Sequence, residues 1–171
     1  MELLALGAEH TCFIDQDALV FCFGRNNYGQ LGVGHNKDTN TPSLIPNQNG
    51  NAVTIDIGTH STCFLHIDNK VLCMGRNAYG QLGNDSTKHS NTPVESHLPP
   101  SVIPTNISLG YYHACASTTD INRIYCSGYN SYGEIRDGSK TNKDTPVLVQ
   151  QLDYPALPPT TSSLTTPLTT T

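Results

Sequence analysis

The amino-acid sequence predicts an all-β fold in which three copies of one hairpin-based unit stack face to face, as in a propeller or solenoid. Three observations lead there. The chain repeats itself at a period of about fifty residues. Each copy holds short runs rich in β-branched and aromatic residues, bounded by Asp, Asn and Gly. Helical periodicity is absent throughout.

The first copy, GAEHTCFIDQDALVFCFGRNNYGQLGVGHNKDTNTP, matches the second, GTHSTCFLHIDNKVLCMGRNAYGQLGNDSTKHSNTP, at a constant offset of 51 from Gly7/Gly58 to Pro42/Pro93. The third begins at Gly110, 52 after its counterpart, and the offset becomes 53 from Cys126 onward because its hairpin is one residue longer. The three repeats are expected over about 3–45, 54–96 and 106–150, within a folded part spanning residues 1–153. Residues 154–171, almost entirely Thr, Ser, Pro and Leu, are expected to form a disordered tail or linker.

In each copy a run such as ALVFCF, KVLCM or RIYC reads as a strand whose two faces are both apolar: Val20 and Cys22 on one side, Leu19, Phe21 and Phe23 on the other. A single hairpin cannot bury both faces, so each copy needs neighbours. The segments ELLALG, VTIDIG and TNISLG align as a preceding strand.

Cys12 and Cys22 lie symmetrically about Asp17, Cys63 and Cys73 about Asp68, and Cys115 and Cys126 about Asp120 and Ile121, so each pair can face across a hairpin. Directly opposed antiparallel positions fall within reach of a disulfide. Six cysteines allow fifteen connectivities, and the repeat favours Cys12–Cys22, Cys63–Cys73 and Cys115–Cys126. The alternative is reduced cysteines acting as small apolar core residues. The spacing does not match the close pairs of structural zinc sites. Asp17, Asp68 and Asp120 read as turn formers at the hairpin tips.

The segment GRNNYGQLGVG superficially suggests a phosphate loop. A phosphate-binding loop of the GxxxxGK type needs Lys then Ser or Thr after the second glycine, where this chain has Gln30 and Leu31, and the dinucleotide GxGxxG order is not met. The motif also recurs as GRNAYGQLG. Gly24, Gly29, Gly32, Gly75, Gly80, Gly83, Gly128 and Gly133 are therefore read as structural turn glycines.

The combination of HTC, a hairpin, CFGRNNYGQLG and a polar loop closing on TP resembles the repeats of the regulator of chromosome condensation family, with their G-x-x-H start and N-x-x-G-Q-L-G segment. The resemblance covers about residues 3–150. It implies blades of a β-propeller that in the family closes with seven, so this chain is expected to supply three blades of an incomplete ring. The outer blades would then expose apolar faces, and further blades or self-association would complete the ring. Met1 lies at a strand that in the other copies follows a preceding blade, which suggests that upstream sequence is missing.

The third copy departs from the pattern at Tyr129, Glu134, Ile135 and Arg136, as a terminal repeat tends to. The chain has no Trp, which argues against the tryptophan-based light sensing known in one family member.

Of the seven histidines, His10 and His113 fall at the blade-start position, with His60 one place early, and each is expected to hydrogen-bond backbone within its own blade. No GxSxG elbow or recurring carboxylate pair supports catalysis. The expectation is a non-enzymatic chain with no cofactor and no metal site.

A net charge of −5 gives no global field for nucleic acid or anionic membrane, and no stretch reaches the ~20 apolar residues of a spanning helix. MELLALG lacks the character of an export signal. The cysteine pairs, the tail and the glycosylation patterns at Asn84 and Asn106 nonetheless point to an extracellular or secretory location, with the cytoplasm as the alternative.

Function is therefore expected to be protein binding by the loops HNKDTN, NDSTKHSN and DGSKTNKD, held on a rigid scaffold. The resemblance also implies two alternatives: guanine-nucleotide exchange on a small GTPase, or a fragment of a larger propeller without independent function.

Overall fold

The computed structural model describes residues 3–46, 50–120 and 123–150. Within them the chain forms three four-stranded antiparallel sheets and no helix. The first sheet holds β1 (Leu3–Leu6), β2 (His10–Ile14), β3 (Val20–Gly24) and β4 (Thr39–Leu44). The second holds β5 (Ala52–Ile57), β6 (Ser61–His66), β7 (Val71–Gly75) and β8 (Ser90–Glu95). The third holds β9 (Pro104–Leu109), β10 (His113–Thr118), β11 (Ile124–Gly128) and β12 (Lys143–Leu148). Each is a meander, with strands in chain order; β5 and β9 each begin two residues before the repeat starts expected at 54 and 106. The Thr/Ser/Pro tail lies outside the described residues.

Register follows from the hairpins. Cys12 faces Cys22, Cys63 faces Cys73 and Cys115 faces Cys126 across the central strand pair. Each pair forms a disulfide, with Cα atoms 4.1 Å apart in all three. The first hairpin tip is built differently from the sequence expectation. Asp15, two residues before Asp17, accepts the backbone N–H groups of Asp17 and Leu19 at 2.9 Å each.

The sheets stack in order, β1 and β2 against β5, then β5 and β6 against β9. The β1–β2, β5–β6 and β9–β10 turns converge on one line, where glycine is a packing requirement. A Cβ on Gly7 would meet the Gly58 carbonyl at 2.9 Å, and one on Gly58 would meet the Gly110 carbonyl at 2.5 Å.

The middle sheet shows why two apolar faces are needed. Five successive residues of β6, Ser61 to Leu65, are buried, because one face meets the first sheet and the other the third. Phe64 is fully enclosed. Backbone bonds lock the stack: Gly34 N–H donates to the Asn91 carbonyl at 2.8 Å, and Asp85 N–H to the Asp144 carbonyl at 3.0 Å. The Asp56 carboxylate adds a third link, accepting from Leu109 N–H at 2.7 Å. On the outer side of the first sheet Leu4 and Leu6 remain 66% and 70% exposed, while Phe13 and Phe21 stack on each other at 5.3 Å.

Candidate interaction face

The long loop after the third strand of each sheet is organised by a single buried asparagine. Asn26 Nδ2 donates to the carbonyls of His35 and Lys37 at 2.7 and 3.1 Å, while its Oδ1 accepts from Leu31 N–H at 2.9 Å. Asn77 repeats this with Ser86, Lys88 and Leu82, and Asn130 with Ser139, Thr141 and Ile135. All three asparagines are fully buried. An amide side chain supplies donors and an acceptor at once, which a loop backbone lacking ladder partners requires. In the third loop Lys143 and Ser139 hold the Asp137 carboxyl well below its ordinary pKa, with Lys143 Nζ 2.8 Å from Asp137 Oδ2.

The glycines read as turn formers all have positive φ, from +68° at Gly83 to +112° at Gly24. Their N–H groups face inward to the chain itself: Gly29 N–H donates to the Asn26 carbonyl and Gly32 N–H to the Gly29 carbonyl, each at 2.9 Å. No phosphate cradle is formed at this loop. Arg136, which stands where the other copies have Gly32 and Gly83, adopts φ +52°.

Beside the loops runs a file of aromatic rings. Tyr28, Tyr79 and Tyr132 occupy one position in the three copies. Tyr28 lies 5.1 Å from the His60 ring and 5.2 Å from His89. Tyr79 lies 5.0 Å from Tyr112 and 5.1 Å from Tyr129, and Tyr111 packs edge-on to Tyr112 at 4.2 Å.

The Arg76 guanidinium sits among these rings, 5.4 Å from Tyr28, 5.7 Å from Tyr79 and 4.6 Å from Tyr112. Its Nη1 donates to the Tyr112 hydroxyl at 3.2 Å. Such distances are those of cation–π contact. Burial, with Arg76 contributing, lowers the pKa values of His60 and His89, although Glu9 opposes this at His60. Arg25, the first-sheet counterpart of Arg76, instead pairs with Glu9 at 2.6 Å.

The expectation for His10 is corrected. His10 Nε2 lies 2.8 Å from Thr62 Oγ1, on the next sheet and not on backbone of its own. Ser61 holds the equivalent place in the second copy. Of the glycosylation patterns, Asn106 is exposed on β9, whereas Asn84 is partly buried and its Oδ1 accepts from Asn77 Nδ2 at 3.0 Å.

The loops and the file of tyrosines thus share one face, joined where Tyr28 meets His89. The loops were legible as variable polar segments. The pinning asparagines and the tyrosine file were not singled out, although Asn-x-Tyr recurs in all three copies and carried the signal.

Comparison with known proteins agrees with this architecture. The regulator of chromosome condensation (RCC1) repeat matches residues 17–65 and 68–117, and a second model of the same repeat matches 3–30, 52–81 and 105–134. The chain is 31% identical over 153 residues to the human probable E3 ubiquitin-protein ligase HERC4, covering 89% of this chain and 14% of that protein. It is 26% identical over 151 residues to the Arabidopsis thaliana ultraviolet-B receptor UVR8, covering 88% and 34%.

Among solved structures, Prp20p from Saccharomyces cerevisiae, a protein with binding properties to Gsp1p and histones, superposes with a TM-score of 0.73 at 22% identity, covering 87% of this chain and 38% of that one. Human WBSCR16 gives 0.71 at 20% identity, covering 85% and 36%. The chain spans about a third or less of the length of these curated relatives. Three tandem copies of one motif, each folded into one four-stranded blade and stacked on the next, place this chain in the regulator of chromosome condensation (RCC1) repeat family.

Proposed function

We propose that this chain is a non-catalytic protein-interaction module whose binding surface is the loop-and-tyrosine face. The observation that carries the reading is the asparagine pinning. Each long loop has its backbone fixed by a buried amide while side chains such as Lys37, Lys88 and Lys140 stand exposed. A pre-ordered loop loses less conformational entropy on binding than a free one. Tyrosine beside such loops supplies large contact area with few rotatable bonds.

The compartment that fits this reading is extracellular or secretory, because three hairpin disulfides persist only where thiols are not kept reduced. A photo-crosslinking residue at position 37, 88 or 140 tests the reading against one at position 17 or 68 on the hairpin tips. Adducts to a discrete partner protein should form from the loop positions alone. Equal yields from the tips would overturn the assignment of this face.

A further inference from the structure

Arg25 and Arg76 occupy the same position in the first and second blades, yet their charges are met differently. Arg25 Nη1 donates to both oxygens of Glu9, at 2.6 and 2.7 Å. The second blade has His60 where the first has Glu9, so Arg76 has no carboxylate of its own. None of the ion pairs among the described residues involves it. Glu9 reaches toward His60, with Oε2 3.7 Å from His60 Nδ1, and stays with Arg25.

Cation–π contact with Tyr28, Tyr79 and Tyr112, one ring from each blade, orients the Arg76 guanidinium without neutralising it. Blades therefore lie on both sides of the group. Nη1 donates to the Tyr112 hydroxyl; Nε is enclosed without a hydrogen-bond partner; Nη2 has no partner either and is not enclosed. Burial lowers the pKa values of His60 and His89, and the charge of Arg76 lowers both further. A half-buried guanidinium with most of its donors unused is costly to leave unmatched.

The wider distribution of charge has the same sign. All but Lys70 and Arg123 of the nine lysines and arginines fall within residues 24–38, 75–89 and 128–143, the segments of the loop face. Lys70 and Arg123, on the hairpin-tip side, are paired with Glu95 and Asp120. Lys37, Lys88 and Lys140 stand exposed and form none of the ion pairs among the described residues. Although the net charge is −5, the unpaired cations gather on the loop face.

Resting on the protein-interaction reading above, we propose that Arg76 anchors the interaction face by taking a carboxylate side chain from an extended acidic segment of a protein partner. The carboxylate meets Nη2 and repeats, between two chains, the contact that Arg25 makes with Glu9 within the first blade. The flanking rings shield it from water, which strengthens a charge-assisted hydrogen bond. A pre-oriented, partly enclosed arginine among tyrosines is the kind of residue that dominates binding at an interface. Lys88, next to His89 in the chain, offers a second cation to the same segment.

The test uses the full chain and a rhodamine-labelled Gly-Gly-Glu-Gly-Glu-Gly-Gly peptide, compared by fluorescence anisotropy with its glutamine twin. The glutamate peptide should bind at least fivefold more tightly, and Arg76→Gln should abolish that preference. His60→Glu, which copies the first blade and gives Arg76 a carboxylate within its own chain, should abolish it too. Thr87→Glu adds the same charge to the exposed second loop and should leave at least half of the affinity, while Arg123→Gln on a hairpin tip should change nothing. Equal binding of the two peptides, no binding of the glutamate peptide, equal losses from His60→Glu and Thr87→Glu, or a preference that survives Arg76→Gln would overturn the proposal. A phosphoserine twin that binds over tenfold more tightly than the glutamate peptide, and only with Arg76 present, would assign the site to phosphoryl groups and overturn it as well. If crosslinking from the loops still captures its partner with the Arg76→Gln chain, the interaction reading stands and only the carboxylate site falls.

Discussion

His10 on the first blade and Thr62 on the second are joined at 2.8 Å, and the direction of the bond is fixed by what Thr62 does next. The single hydroxyl proton of Thr62 goes to the Gln30 carbonyl, also at 2.8 Å, so His10 Nε2 must carry the proton donated to Thr62. Burial holds the ring in its neutral form, which leaves Nδ1 unprotonated and without a hydrogen-bond partner. Between the second and third blades the same places hold Ser61 and Ala114, and the polar bridge is lost.

Burial of His10 at this contact makes stability pH-dependent. Burial, reinforced by His60 and opposed by Glu9, lowers the His10 pKa from 6.5 to about 4. The unfolded chain thus binds more protons between these values, and stability falls as pH drops from 6.5 toward 4, by about 3 kcal/mol in total. Urea unfolding across this range should show the loss in the native sequence. His10→Ser, which copies the second blade, should flatten that part of the profile; parallel profiles for the two chains would refute the assignment.

Removal of a pinning asparagine should loosen one loop and leave its blade in place. Asn77→Ala takes both the donors to Ser86 and Lys88 and the acceptor of the buried Leu82 N–H. The orphaned groups should cost about 2–3 kcal/mol. Amide exchange should accelerate over residues 84–89 and stay slow in β6 and β7.

Each hairpin disulfide closes a short loop and contributes roughly 2.5–3 kcal/mol in the chain-entropy account. The Cys63–Cys73 bridge is enclosed between two blades, each cysteine only 1% exposed. Alkylation of the native protein followed by mass spectrometry should find all six cysteines protected, and all six labelled after unfolding in reductant. Free thiols in the natively isolated chain would contradict the pairing and remove the support for an oxidising compartment.

Arg136 offers the opposite sign of change. It holds φ +52° where two sister copies use glycine, and its side chain is exposed. A side chain in this left-handed region costs about 1–2 kcal/mol, partly offset by the greater freedom that glycine has when unfolded. Arg136→Gly should raise the urea midpoint by an amount equivalent to about 1 kcal/mol, an outcome readable from denaturation curves of equal slope.

Three blades, the positions of their hairpins, the facing of the cysteine pairs and the glycine turns are legible from the residues alone. These features are local: alternation sets which side chains face each other across a two-strand ladder, and the period of the repeat states it three times. That His10 reaches Thr62 and not its own backbone, that Asn26, Asn77 and Asn130 fix the loops, and that Tyr112, Tyr129 and Glu134 come together emerges once the chain is folded. Those relationships depend on how one blade docks on the next or how a loop folds back on itself. Neither is encoded in strand periodicity, so substitutions that read as the drift of a third repeat acquire their meaning only once the blades are stacked.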